Sequence, residues 1–309
     1  MRFVNFSYFI FILSSFCYSQ GNSAEPFLSQ IFSQFPNVRD IAIAPDGNEI
    51  YFSVQSYQNE LSVITCIRKE NNVWSNPEIA SFSGKYYDIE PFLSSDGLKL
   101  FYSSNRPMEV TDSIKDFDIW YVERENKNSG WSKPINVGGP INSDKNEFYP
   151  SIANNNNFYF TCEERGTKGK DDIFLSQWKN GKYIEPISLS DSINSEGYEF
   201  NAFIAPDESF IIFTGYARDD GFGSGDLYIS YKTPKGNWEK ARNLGKQINS
   251  AQMDYCPFVD TKTNTLYFTS KRTSVNNFNK HFSSIQEVLN DIKRYDNGLS
   301  RIYKATLKK

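Results

Sequence analysis

The chain has 309 residues, enough for one large domain or two smaller ones with a substantial core. Its 33 Lys and Arg against 37 Asp and Glu leave a formal charge of -4 with no basic run, which excludes an electrostatic nucleic-acid binder. Aromatics make up 16% of the residues, with 26 Phe and 19 Tyr, so many short, half-exposed strands are expected rather than thick buried helices.

At the N-terminus, Arg2 is the only charge before the apolar stretch FVNFSYFIFILSSF, which then meets the small residues of CYS. This layout predicts a secretory signal peptide over residues 1–19, cut near Ser19, with the mature chain beginning around Gln20. The run is shorter than the roughly 20 apolar residues of a spanning helix, and Ser14, Ser15 and Cys17 interrupt its end. Phe16 before Cys17 departs from the small residue that a lipid-attachment motif requires. The expectation is an exported protein, periplasmic, outer-membrane associated or secreted, with no transmembrane segment after cleavage. Cys66, Cys162 and Cys256 remain, an odd count with no zinc-type spacing; they read as small strand residues, and neither a metal nor another cofactor is implied.

From residue 38 the chain repeats. DIEPFLSSDGLKLFYSSNR (88–106) is matched by EFYPSIANNNNFYFTCEER (147–165), EFNAFIAPDESFIIFTGYAR (199–218) and DYCPFVDTKTNTLYFTSKR (254–272), with a poorer copy at 38–56. Each unit is an alternating run, a turn rich in Asp, Gly, Asn and Pro, and a β-branched and aromatic run, the pattern of a hairpin. A third strand follows as DIWYVER, DIFLSQW and DLYISYK, and a fourth segment ends in INS, where INSDKNEFYP, INSEGYEFNA and INSAQMDYCP cross over from the outer strand of one unit to the inner strand of the next. Four antiparallel strands repeated around an axis predict an all-β propeller of five four-stranded blades, near 38–85, 86–143, 144–195, 196–250 and 251–309; six blades is the alternative. The last unit lacks its fourth strand, and EPFLSQIFS (25–33) aligns with NPEIASFSG (76–84), so the N-terminal segment is expected to close the ring as a single domain over 20–309.

The stretches SSDGLKLFYSSNR and APDGNEIYFS resemble the WD-like repeat of the TolB-like β-propeller family, and GWSKPINVGGPINS is similar to a linker of its envelope-associated members. The resemblance covers roughly residues 35 to 309 and implies the fold; the family spans transport-complex components, outer-membrane scaffolds and propellers fused to peptidases, so no ligand follows from it.

Departures from the repeat are where function is sought. Between the second and third strands of the last unit lies TSVNNFNKHFSSIQEVLNDIKRYDNG (273–298), in which Ile285, Val288, Leu289 and Ile292 follow a helical period. With Ser283 or Ser284 as N-cap and Asn297-Gly298 as a stop, this predicts a short helix over 283–294, a cap or channel plug, or a docking element. The single histidine, His281, precedes it and is not expected to be catalytic. Asp88, Glu147, Glu199 and Asp254 head the inner strands, where they would form a carboxylate ring at one channel mouth or, structurally, accept backbone hydrogen bonds; with Glu90 and Arg272 they are the binding candidates. Arg106, Arg165 and Arg218 end the second strands and Asp118, Asp172 and Asp226 begin the third, and the first unit has Gln55 and Ser62 instead. Their joint loss predicts that each Arg pairs with the Asp of its own blade, leaving Arg272, which faces Arg301, free. The loop RDDGFGSGD (218–226) has neither EF-hand nor P-loop spacing.

No catalytic residue is assigned. The SxDxGxxW box of sialidases and a nucleophile elbow are both absent. The expectation is a non-catalytic scaffold that binds an envelope protein or polysaccharide, with loop aromatics such as Tyr86, Tyr87 and Phe222 as contacts. A glycoside hydrolase using central-cavity carboxylates, with Glu90 as the one outside the repeat, is the alternative.

Overall fold

The computed structural model describes residues 23–109, 113–163, 165–276 and 280–307; the expected leader lies outside them. Among them are five antiparallel blade sheets and a separate two-stranded hairpin, Trp178–Lys179 with Lys182–Tyr183. Blade I comprises Asn37–Ile43, Glu49–Gln55, Ser62–Glu70 and Glu78–Ile79, with Val73–Trp74 folded back on its third strand; blade II comprises Asp88–Leu93, Lys99–Ser104, Asp118–Glu123 and Ile135–Asn136. Blade III is Glu147–Ile152, Phe158–Glu163, Asp171–Ser176 and Ile187–Ser188, and blade IV is Tyr198–Ile204, Phe210–Tyr216, Gly225–Tyr231 and Arg242–Asn243. Blade V takes Asp254–Asp260, Thr265–Ser270 and Arg301–Thr306 from the C-terminal end and Glu25–Pro26 from the N-terminal end, with Glu25 opposite Lys304 and Pro26 opposite Tyr303. The N-terminal strand thus closes a five-bladed ring. It is shorter than the aligned segment, because the chain turns at Leu28 into a single helical turn, Ser29–Phe32, that buries Phe32 edge-on against Phe52.

Apolar side chains collect between neighbouring blades in five clusters. Tyr51, Phe82 and Tyr102 join I to II, Ile119, Phe158 and Phe160 join II to III, and Tyr159, Phe213 and Tyr228 join III to IV. Ile212, Phe268 and Tyr303 join IV to V, and Phe52, Val38 and Ile302 join V to I. Each sheet buries both faces this way, and burial at ~25 cal/mol per Å² of apolar surface makes the blade interfaces the main source of stability.

The recurring INS sequence is the hinge between blades. The side-chain amide of Asn142 accepts from Ile119 N and donates to Ile119 O, both at 2.9 Å; Asn194 does the same to Ile173 and Asn249 to Leu227. A side chain thereby replaces a strand partner where the outer strand departs, satisfying backbone groups that burial would otherwise leave costly. The following Ser143, Ser195 and Ser250 each donate backbone N–H and hydroxyl to the carboxylate four residues on, Glu147, Glu199 or Asp254.

The arginines differ from expectation. Arg106 pairs with Asp88 at 2.7 Å, Arg218 with Glu199 at 2.8 Å and Arg272 with Asp254 at 2.9 Å, so none of them meets the third-strand Asp and Arg272 is not free. Each also donates to the carbonyl before the hinge, Phe82, Ile193 or Ile248, and lies over aromatic rings such as Tyr102, Tyr228 and Tyr303. Arg165 keeps the carbonyl contact, to Ile141, but turns outward to Glu185. The third-strand carboxylates take other donors: Asp118 from Lys115 and Asn136, Asp172 from Lys168 N and Ser188, Asp226 from Phe222 N and Asn243. Blade I has fully buried Val38 in place of the inner-strand acid, which accounts for the loss of its arginine.

Candidate functional site

Every inner strand carries a β-bulge at its third position. The register shifts fall between Arg39 and Ile41, Ile89 and Phe92, Phe148 and Ser151, Phe200 and Phe203, and Tyr255 and Phe258. At each bulge one non-glycine residue takes a left-handed backbone: Asp40, Glu90, Tyr149, Asn201 and Cys256, with φ of 54, 62, 51, 51 and 52°. Left-handed non-glycine residues are unfavourable by ~1 kcal/mol or more each and persist where the surroundings hold them. Here the bulge interrupts strand alternation, so that both Ile89 and Glu90, and both Phe200 and Asn201, line the same axial cavity.

These five residues close the channel as a hydrogen-bonded plug. Glu90 is its hub: Oε1 accepts from Arg39 at 2.9 Å and Asn201 at 3.0 Å, while Oε2 accepts from Tyr149 N at 2.8 Å and Ser103 at 3.4 Å. Arg39 also donates to Asp40 Oδ1 at 2.7 Å and lies over the Tyr255 ring, and Asp40 Oδ2 accepts from Glu90 N. Cys256 Sγ is 3.3 Å from both Arg39 Nη2 and Asn201 Oδ1, and the Tyr149 hydroxyl donates to Pro257 O. Burial, reinforced by Asp40 and opposed by Arg39, holds the Glu90 carboxyl above its ordinary range, and burial likewise pushes the Cys256 thiol up. Asp40, Glu90 and Cys256 are the one cluster among the described residues with metal-ligand spacing; the Arg39 guanidinium already supplies its positive charge.

Above the plug the channel opens into a cavity of about 560 Å³, within the usual range of small-molecule sites. Its walls are Ile89, Phe148, Phe200 and Tyr255 from second positions of the inner strands, with Tyr87, Phe117 and Met253. Tyr87, Phe117 and Phe148 form a run of contacting rings, at 5.7 and 5.1 Å between centroids. Polar side chains share the lining, and the charged ones are placed unevenly. Lys271 and Arg39 stand on blades V and I, Glu163 and Asp171 on blade III, with Gln55, Asn105 and Ser300 between. Burial and the neighbouring Glu163 raise Asp171 to about 6, and burial beside Arg39 lowers Lys271.

Of the six binding candidates read from the sequence, the cavity contains Glu90 alone. Asp88, Glu147, Glu199 and Asp254 are fully buried in the blade walls as acceptors for the hinge serines and arginines, and Arg272 is held there with Asp254. They form no ring at the channel mouth. The plug residues Arg39, Tyr149, Asn201 and Cys256 were not singled out from the sequence, and Cys256 is more than a small strand residue. Of the loop aromatics, Tyr87 lines the cavity, Tyr86 lies under Arg106, and Phe222 is exposed beside Lys246. In the 218–226 loop, Asp220 accepts from Tyr228 and Asp226 from its own loop backbone.

The insertion of blade V leaves from the cavity face, since the second-to-third-strand connections of blades I and II supply Asn59, Asn105 and Phe117 to the cavity and the strand ends flanking that of blade III supply Glu163 and Asp171. Its helix, Ile285–Ile292, starts at Ser284, whose hydroxyl accepts from Glu287 N, while Glu287 accepts from Ser283. None of its side chains is buried and none lines the cavity, so it does not plug the channel. Tyr295 anchors the returning chain by donating to Phe27 O and Ile302 O. His281 is exposed. No helix among the described residues is long and apolar enough to cross a membrane.

No protein-family model matches the chain, and no curated protein matches it in sequence. Among solved structures it is similar to a glycoside hydrolase at 10% identity, covering 88% of each chain with a TM-score of 0.53. It is similar to a GH43 endo-arabinanase from Bacillus licheniformis at 13% identity, covering 87% of this chain and 93% of that one with a TM-score of 0.51. TolB from Acinetobacter baumannii matches at 12% identity over 87% of this chain with a TM-score of 0.47, and the chain spans 54% of its length. At such identities the likeness is one of fold: the chain is a five-bladed β-propeller.

Proposed function

We propose that this protein is a non-catalytic propeller that binds a ligand at the mouth of its central channel, and that the ligand is a protein or polymer of the cell envelope into which the chain is exported. The observation that carries this reading is the state of the axial carboxylates. A glycosidase needs two carboxyl groups facing each other across the scissile bond, about 5–5.5 Å apart for retention or 6.5–9.5 Å for inversion. Both oxygens of Glu90 and both of Asp40 are engaged within the plug. The remaining pair, Glu163 and Asp171, are cross-strand neighbours on one wall and do not face each other across a bound sugar. Aromatic rings set among polar side chains in one cavity suit recognition of either a sugar face or a peptide side chain.

Turnover assays on envelope polysaccharides test this reading, with the wild-type chain and the Glu90→Gln and Asp171→Asn variants. The expected result is no release of reducing ends by any of the three. Hydrolysis by the wild type that is lost in Glu90→Gln, with the fold retained, would establish the hydrolase instead.

A further inference from the structure

The charges on the cavity wall separate by sign, and two of them have no partner. Lys271 on blade V neighbours Arg39 on blade I; Glu163 and Asp171 lie on blade III, beyond blade IV on one side and blade II on the other. Several other enclosed charges are paired, Arg124 with Glu49 at 2.7 Å, Lys232 with Glu208 at 2.9 Å and Lys115 with Asp118 at 3.0 Å, whereas Lys69, Lys145 and Arg301 have no ion pair among the described residues. Among the described residues, the Lys271 ammonium and the Asp171 carboxylate have no ion pair or hydrogen bond, although both are only partly exposed. Leaving a charge partly desolvated without a partner is unfavourable, and such groups are retained where something else completes them.

Neither position belongs to the repeat. In the aligned repeats the counterparts of Lys271 are Gln55, Asn105, Glu164 and Ala217, and those of Asp171 are Leu61, Phe117, Gly225 and Ser300. Blade architecture therefore does not require a cation at one and an anion at the other. Between them the wall is apolar, with Phe148, Phe200 and Tyr255, and the floor offers the Asn201 amide.

From this placement we infer that the group seated in the cavity is a zwitterion of amino-acid or dipeptide size, its carboxylate against Lys271 and Arg39 and its ammonium against Asp171 and Glu163. The aromatic wall takes its apolar side chain. The inference rests on the channel mouth being the binding site and names the chemistry that site takes.

Calorimetric titration of the full chain with the dipeptide Ala-Phe, its N-acetyl form, its C-terminal amide and cellotriose tests it. Ala-Phe is expected to bind at least tenfold more tightly than either blocked form. Lys271→Met should abolish the discrimination against the amide and keep that against the acetylated form; Asp171→Asn should do the reverse. Equal binding of free and blocked dipeptides, or saturable binding of cellotriose alone, would overturn the zwitterion while leaving the channel mouth as a binding site. Absence of binding by all four probes would also overturn it. The binding-site reading itself fails on a separate result, the lack of an envelope adduct from a photoreactive residue at position 253.

Discussion

Glu147 occupies the same place in blade III as Asp88, Glu199 and Asp254 in theirs, yet its arginine has turned away to Glu185. It is fully buried with only Ser143 and Cys162 as donors. Burial raises its carboxyl from 4.5 to about 7 against the pull of those hydrogen bonds. A carboxyl raised in the folded state stabilises the fold fully below its unfolded value, and that contribution is lost as pH rises through the folded one. Between pH 4.5 and 8 the loss is at most roughly 3 kcal/mol. Glu147→Gln removes the titration while keeping the shape, so its stability relative to wild type should improve by ~2–3 kcal/mol from pH 5 to pH 8. Urea unfolding at pH 5, 6, 7 and 8 measures it, and Glu90 and Asp171, which titrate in the same window, are common to both proteins and cancel to first order. Glu199→Gln is the contrast: it leaves the Arg218 guanidinium without its ion pair and should destabilise at pH 8 by about 3–5 kcal/mol. A difference between Glu147→Gln and wild type that stays flat with pH, or that moves in favour of wild type as pH rises, would refute the reasoning.

Arg39→Met strips the plug of its cation and leaves Asp40 and Glu90 facing each other; a loss of about 3–5 kcal/mol is expected in urea unfolding, with part of it recovered in the Arg39→Met, Glu90→Gln double variant. Asn194→Ala unsatisfies the buried N–H and C=O of Ile173 and should cost about 2–4 kcal/mol by the same measurement, at about 1–3 kcal/mol for each buried group left unpaired. Replacing Ile285 and Ile292 together by Gln should change stability by no more than about 0.5 kcal/mol, because both side chains are exposed; a large loss of melting temperature would show that the helix packs on the propeller face.

The architecture was legible in the sequence because it is periodic. Five copies of a hairpin with the same turn residues fix the blades, and a last unit short of one strand points to the N-terminal segment. An N-cap at Ser283 or Ser284 was readable from its place before the apolar period, and the structure selects Ser284. The arginine partners were not, for a reason visible in the register: Ser104 stands opposite Asp88 on one side and Asp118 on the other. A carboxylate on either neighbouring strand is therefore within reach, and spacing along the chain does not choose between them. The hinge contact to the preceding carbonyl, which draws Arg106 toward Phe82 and Asp88, has no side-chain signature at all. The plug was hidden because alternation predicts one inward side chain in two, whereas the bulges turn two consecutive residues inward. A signal existed in the third column of the inner strands, where Asp40, Glu90, Tyr149, Asn201 and Cys256 are unlike one another amid otherwise similar neighbours. Positions that break a repeat while their neighbours keep it mark the axis here, and Lys271 and Asp171 follow the same rule.

The most direct test of the central claim, that the channel mouth is the binding site, is site-specific photocrosslinking in the native envelope. A photoreactive residue is placed at Met253, on the cavity wall, or at Trp178, on the outer hairpin of blade III. The account predicts a discrete envelope adduct from position 253 that is suppressed by Phe200→Arg, and none from position 178. Adducts from 178 with none from 253, or a 253 adduct indifferent to Phe200→Arg, would contradict it.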